Sequence, residues 1–326
     1  MTHLIFMFPG QGSQFVEMGK DLFENFFEIQ EHFQEASDTL GFDMKKLCFE
    51  DPKHQLNLTE FTQPALLTLS VATYHVLQNH GGLKPHLVAG HSLGEYSALV
   101  AAQALSFSDA LKAVQFRGQA MQKAVPIGTG AMAAYLGGSA QEVFEICEHI
   151  SSERTKTEGF THTGITERVE VVNFNAPQQL VLSGHKNAVA RACELIAMQK
   201  LGKAKELPVS APFHSTLMEP AAKEMAAFLE HIPFKENKYE IVANVDANIY
   251  LKPSYTKQLL IKQIAHPVRW TQSLLTIHAK YPNAFWIELG PGKVLQGLAK
   301  KTIANAQCLG TQDCFALKNV LQTFEK

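Results

Sequence analysis

Leu87-Val88-Ala89-Gly90-His91-Ser92-Leu93-Gly94-Glu95-Tyr96-Ser97-Ala98-Leu99, residues 87–99, carries the reading of the fold. Leu87–Ala89 is a short apolar run ending at a glycine, as expected of a buried strand. Leu93–Leu105 is rich in alanine and leucine and reads as a helix. Between them Gly90-His91-Ser92-Leu93-Gly94 fits G-x-S-x-G, the sharp strand-to-helix turn that projects a serine hydroxyl. Its glycines let neighbouring backbone pass without a Cβ clash, and the helix N-terminus offers N–H groups to a developing oxyanion. On composition alone the pattern arises in about one chain in ten of this size, so the strand–turn–helix context is what gives it weight. Ser92 is then a nucleophile, or the serine of a purely structural turn.

Outward from this segment, strands and helices alternate. Leu4–Phe8 is an apolar run closed by Pro9-Gly10, helices are expected over 21–36 and Ala65–Leu77, and another over Ser108–Lys123. This alternation predicts a parallel sheet covered by helices. After Pro126 and the Gly128/Gly130 pair the pattern changes. A strand at Ala131–Leu136, a helix at Ala140–Ile150, strands at Glu170–Phe174 and Leu180–Ser183, a helix at Asn187–Gln199 and a strand at Lys205–Val209 follow in order. That β-α-β-β-α-β series is a ferredoxin-like unit inserted in the larger α/β body. The body resumes with a helix after His214 and a strand at Ile241–Asn244. The expected division is 1–127 with 206–326 for the large subdomain and 128–205 for the small one, with 151–168 a polar loop.

The 326 residues carry 29 Lys+Arg against 31 Asp+Glu, a net charge of −2, and 46% are hydrophobic. Such a chain has enough apolar content for a core, and its charge disfavours general nucleic-acid binding. No apolar run approaches the roughly 18–20 residues that span a bilayer. The five cysteines, without C-x-x-C spacing, argue against a disulfide framework or a zinc site and fit a reducing cytoplasm.

Three further residues bear on chemistry. Gln11, in Pro9-Gly10-Gln11-Gly12-Ser13-Gln14, follows the first strand and could offer an N–H to an oxyanion; the competing reading is a glycine-rich turn without chemical importance. His214 stands out among 14 histidines because it lies between an expected strand and a helix, whose N-terminus disfavours the imidazolium. With no acidic partner in view, a main-chain carbonyl could orient its ring. Arg117 falls on the stripe of Ala110, Val114 and Met121 on its helix, so it needs an anionic partner. That partner is a distant Asp or Glu, or a substrate carboxylate held by the guanidinium fork. Serine, neutral histidine, oxyanion donor and arginine together describe acyl transfer from a thioester bearing a free carboxylate, as in malonyl thioesters.

These motifs resemble those of the malonyl-CoA:acyl-carrier-protein transacylases and the acyltransferase domains of polyketide synthases. The matching segments are PGQGSQ (9–14), TQPALL (62–67), GHSLGEYSAL (90–99), FRGQAM (116–121), NFNAPQQLVLSG (173–184), APFHSTLM (211–218), PVRW (267–270) and ELGPGKVL (288–295), in order along essentially the whole chain. The resemblance implies an α/β-hydrolase-like core with a ferredoxin-like subdomain. It implies Ser92 as the acylated nucleophile, His214 as its base, Gln11 and the Leu93 backbone as the oxyanion hole, and Arg117 as the carboxylate anchor. It aligns Gln263 with a glutamine whose main chain helps orient the histidine, and places Asn175, Gln63 and His91 in or near the cleft. Phe213 before the histidine, with Leu93 after the serine, goes with malonyl rather than methylmalonyl units. The departure from the family is the long polar stretch at 151–170, either a loop without a role or an element of partner choice.

The expected activity is a ping-pong transfer from malonyl-CoA to the phosphopantetheine of an acyl carrier protein, with no metal or cofactor, by a cytoplasmic monomer without membrane or nucleic-acid partners. A basic patch at the cleft rim is expected to meet the acidic carrier. Competing readings are an acyltransferase serving a polyketide synthase, an acyl-thioester hydrolase using the same dyad, and a carrier-binding module without activity.

Overall fold

The structure, a computed structural model, describes residues 2–152, 167–209 and 211–325. Its strands, in chain order, are β1 (Leu4–Phe8), β2 (Leu87–Gly90), β3 (Gly130–Gly137), β4 (Val169–Ala176), β5 (Gln179–His185), β6 (Gly202–Glu206), β7 (Glu240–Val242), β8 (Ile249–Tyr250), β9 (Phe285–Glu288) and β10 (Gln307–Gly310). Six of them form a sheet in the order β10-β9-β1-β2-β7-β8, parallel except for β8. Both faces of this sheet are covered, which is why its strands are apolar without alternation. Leu4, Phe6, Phe8 and Val88 pack on one side, where the helices Thr59–Gly81, Gly94–Ala101 and Phe107–Lys123 lie. Ile5, Met7, Leu87 and Ala89 pack on the other, beneath the helices Trp270–Lys280 and Val294–Thr302.

The second sheet is antiparallel, in the order β4-β5-β3-β6. The helices Ala140–Ser152 and Lys186–Met198 close one of its faces over Ala133, Tyr135, Val171 and Leu182. From the other face Met132, Val172 and Val181 join the core of the large sheet. The mixed α/β architecture is thus the one expected, with a cleft between the two sheets.

Several elements differ from their expected bounds. The helix expected over 21–36 is two helices, Lys20–Asn25 and Phe27–Leu40, parted by Phe26 in an extended conformation. Gln30 donates to the freed Phe23 O, and Asn25 folds back to donate to Asp21 O within the first helix. Phe26 is buried by this break, whereas Phe27 is 68% exposed. The helix expected from Ala65 begins at Thr59 and holds Pro64 in its second turn. The helix after Ser92 stops at Ala101, because Gln103 turns left-handed at φ 60° and lets the N–H groups of Ala104 and Leu105 cap Leu99 O. Strand β6 lies earlier than the expected Lys205–Val209: it leaves the edge before Pro208, which has no N–H to give, and Val209 faces the cleft instead. Most of the polar stretch 151–170 lies outside the described residues. Among the described residues no helix is long and apolar enough to cross a membrane.

Candidate active site

The site is built at the carboxyl ends of β1 and β2, where an open parallel sheet presents its loops. Phe8 pairs with Gly90, and His91 N–H donates to Phe8 O at 3.0 Å, so the PGQG loop and the serine turn leave the sheet side by side. The turn is tight. A Cβ on Gly90 would meet Gly94 C and O at 1.9 Å, and one on Gly94 would meet Phe8 O at 2.1 Å. Ser92 itself is held at φ 53°, a left-handed conformation that L-residues adopt at a cost of about 1–3 kcal/mol. Gly94→Ala is therefore expected to destabilise the protein by at least about 3 kcal/mol, since the clash is with backbone that cannot yield; urea unfolding checks this.

Asn244, just beyond β7, splints the turn. Its Oδ1 accepts from Ser92 N–H at 2.7 Å and its Nδ2 donates to Gly90 O at 2.7 Å. The Ser92 hydroxyl lies 2.8 Å from His214 Nε2. His214 Nδ1 lies 2.8 Å from the main-chain oxygen of Gln263. That carbonyl is available because Gln263 sits in the last turn of the helix Thr256–Ile264, where carbonyls have no intrahelical partner. Together these contacts place the proton on Nδ1 and leave Nε2 as acceptor for the serine. Like Ser92, His214 has a left-handed backbone, at φ 62°. Its imidazolium is disfavoured down to about 3, first by burial and then by the positive charge of Arg117. The neutral ring was expected from a helix N-terminus; burial and the guanidinium do more.

Arg117 is 1% exposed and bonds to no carboxylate among the described residues. Its Nη1 donates to Gln63 Oε1 at 2.9 Å and its Nη2 to Gln263 Oε1 at 2.9 Å and Ser92 Oγ at 3.1 Å. Its buried Nε–H has no acceptor among the described residues. A distant Asp or Glu, one of the two partners expected, is thus replaced by two neutral amides. Gln263 is more than the main-chain acceptor expected of it. Besides receiving Arg117, its Nε2 donates to Ser92 O at 2.9 Å and to Glu95 Oε2 at 2.7 Å. Glu95 is fully buried, and burial pushes its carboxyl up to about 7.

These groups open on a cavity of about 290 Å³ between the two sheets. Gln11, Gln63, His91, Leu93, Asn175 and Phe213 line it beside Ser92, Arg117 and His214. Gln11 Nε2 reaches toward Thr59 Oγ1 at 3.5 Å. His91 Nε2 meets Asn175 Oδ1 at 2.8 Å and its ring stacks edge-on against Trp270, so it supports the wall of the cleft. The small sheet adds Met132, Asn173 and Val181. Asn244 and Glu95 escaped the sequence reading. An asparagine at the end of a parallel strand, and a lone acid in an otherwise apolar helix, were the available signals.

The model of the acyl transferase domain family matches residues 5–316. The malonyl CoA-acyl carrier protein transacylase of Escherichia coli O157:H7 is 43% identical over 303 residues, which cover 93% of this chain and 94% of the relative. The chain belongs to the malonyl CoA-acyl carrier protein transacylase family. Solved members share its fold. The acyl-carrier-protein S-malonyltransferase of Burkholderia pseudomallei superposes with a TM-score of 0.91 at 42% identity, covering 98% of this chain and 99% of that one. A malonyl-transacylase in complex with a type II polyketide acyl carrier protein also superposes at 0.91, with 38% identity, covering 99% of this chain and 100% of that one. In this family's fold, the present transacylase chain brings all ten residues singled out in its sequence to one cleft or directly against it.

Proposed function

We propose that the protein moves a malonyl group from malonyl-CoA to the phosphopantetheine thiol of an acyl carrier protein through a malonyl-Ser92 ester. One observation carries this reading: the Ser92 hydroxyl lies within hydrogen-bond reach of both a neutral histidine and a buried arginine without an anionic partner. In the first half-reaction Nε2 of His214 takes the hydroxyl proton as Oγ attacks the thioester carbonyl. The oxyanion is received by the N–H groups of Leu93 and Gln11. The C–S bond breaks, and the CoA thiolate takes the proton back from Nε2. In the second half-reaction His214 accepts the proton of the pantetheine thiol, the thiolate attacks the ester, and Ser92 leaves and regains a proton. Arg117 meets the malonyl carboxylate with its Nε–H, which has no acceptor among the described residues, and with the Nη2–H that it otherwise gives to Ser92 Oγ, a side-on fork.

Intact-protein mass spectrometry tests this scheme. Exposure to malonyl-CoA is expected to add one malonyl group, which leaves on addition of carrier protein. An adduct that decays to free malonate with carrier present would mark a hydrolase instead, and no adduct would leave only a binding module. Because His214 stays neutral down to about pH 3, acylation by a donor whose acyl group is uncharged, such as acetyl-CoA, is expected to run level from pH 8 to about pH 5; stopped-flow measurement checks it. Phe213 fills space that an α-methyl group needs, so Phe213→Ser is expected to raise the methylmalonyl-to-malonyl rate ratio about tenfold, read by competition between the two thioesters.

Lys301 reaches Gln179 at the cleft wall, and a basic rim of this kind would make carrier binding weaken with salt. The free thiols fit a reducing cytoplasm. We further place the protein there as a monomer, without nucleic-acid or membrane partners; its elution volume in gel filtration reads the first point.

A further inference from the structure

The catalytic scheme leaves a buried carboxyl beside Gln263 unused. Glu95 stands in the first turn of the helix after the nucleophile, fully buried and without an ion pair among the described residues. Its Oε2 accepts from Gln263 Nε2 at 2.7 Å and from Asn244 N–H at 3.2 Å, while its Oε1 is buried with no partner among the described residues. A buried carboxylate ordinarily sits against a cation, or it is protonated. Here the cation is Arg117, one amide away: the Gln263 side chain accepts from the guanidinium at 2.9 Å and donates to the carboxylate at 2.7 Å. The other groups that act on Glu95 are Asp246, beyond β7, the phenol of Tyr250 on β8, and that of Tyr96 on its own helix. Arg117 is the positive charge among them.

We propose that Glu95 is the exchangeable counter-charge of Arg117: when the carboxylate of an acyl group docks on the guanidinium, Glu95 takes up a proton from solvent. Glu95 thereby acts as a positioning and specificity residue that sets the preference for charged over neutral acyl groups. The inference rests on the reading of Arg117 as the carboxylate anchor.

The geometry says where the proton goes. Oε2 faces two donors and must remain an acceptor, so the proton enters on Oε1, and both hydrogen bonds survive. Only the charge changes. In the free protein Arg117 lowers the Glu95 carboxyl against the upward push of burial, the balance lying near neutral pH. A bound carboxylate neutralises Arg117 and withdraws that support, so the affinity of Glu95 for a proton rises. By linkage, the ligand in turn binds more tightly to the protonated form. Affinity for an anionic acyl group is then level below about pH 7 and falls as the pH rises above it.

Calorimetric titration of Ser92→Ala protein with malonyl-CoA and with acetyl-CoA between pH 6 and 8.5 separates this effect from ionisation of the CoA moiety, which both ligands share. The ratio of the two affinities is expected to fall about tenfold across the range, the equivalent of one pK unit of coupling. In Ser92→Ala/Glu95→Gln the ratio is expected to stay level at its pH 6 value, because the glutamine oxygen satisfies the same two donors and carries no charge. Net proton uptake, read from the binding heats in buffers of different ionisation enthalpy, should exceed that of acetyl-CoA in the Ser92→Ala protein; this readout leaves Glu95 unaltered. A purely structural Glu95 would weaken both ligands alike in the double variant and leave their ratio falling with pH as it does in Ser92→Ala, which overturns the proposal, as does a pH-independent ratio in Ser92→Ala. If neither thioester binds, the reading of the site as a malonyl transferase fails with it; if both bind and only the pH dependence is missing, Glu95 alone loses its role.

Discussion

Ser92→Ala protein exposed to malonyl-CoA is expected to keep its unmodified mass, and its transfer of malonyl to carrier protein to fall by at least about 10⁴-fold. The size of the effect follows from the covalent route, since among the described residues no second nucleophile lines the cavity to replace the hydroxyl. Cys48 and Cys147 are buried, and burial pushes the Cys48 thiol far up and that of Cys147 to about 12, which removes the thiolate needed for attack. The variant should nevertheless fold normally. The bonds that hold the turn, Ser92 N–H to Asn244 and Ser92 O from Gln263, are made by main-chain atoms that alanine retains. A melting temperature close to that of the parent, together with an absent adduct, is the expected pair of results. A malonyl adduct persisting in Ser92→Ala would assign the nucleophile elsewhere.

Arg117→Ala is expected to slow malonylation of Ser92 by between about 30- and 3,000-fold, while acetylation changes far less. Truncating one member of a buried, hydrogen-bonded charge pair costs about 2–5 kcal/mol, and each 1.4 kcal/mol is tenfold. The asymmetry between donors is the decisive readout. With an acetyl donor the guanidinium has no anion to receive, and its loss removes the contact to Ser92 Oγ at 3.1 Å and the bonds to the Gln63 and Gln263 amides, none of which binds the acyl group. Lysine is expected to restore little of the malonyl rate. One ammonium cannot hold Gln63 and Gln263 and still present two parallel donors to a carboxylate. Rapid-quench measurement with malonyl-CoA and acetyl-CoA side by side gives both numbers.

Much of the architecture is legible locally. A strand ending at Gly90, a serine two residues on and an apolar helix after it are neighbours in the chain, and the sterics that select glycine at 90 and 94 act between adjacent turns. The order of strands and helices through 130–206 could likewise be read from periodicity, because side-chain direction repeats with the backbone. Boundaries were less legible. The break at Phe26 carries no proline or glycine, and β6 ends with Glu206 opposite Ala133 although β3 itself reaches back to Gly130.

The site divides along the same line. The residue types of acyl transfer were readable at Ser92, His214 and Arg117, since a hydroxyl on a tight turn, an imidazole and an arginine within an apolar stripe each announce themselves in short windows. Their relations were not. Ser92 meets His214 across 122 residues, Arg117 meets Gln263 across 146, and Asn244 reaches back 152 residues to hold the serine. Which carbonyl orients the imidazole, which amides receive the guanidinium and which carboxylate balances it depend on how the two faces of the parallel sheet are packed. Hydrogen-bond partners are chosen by proximity in space at about 3 Å, and nothing in the local pattern of the chain encodes that distance.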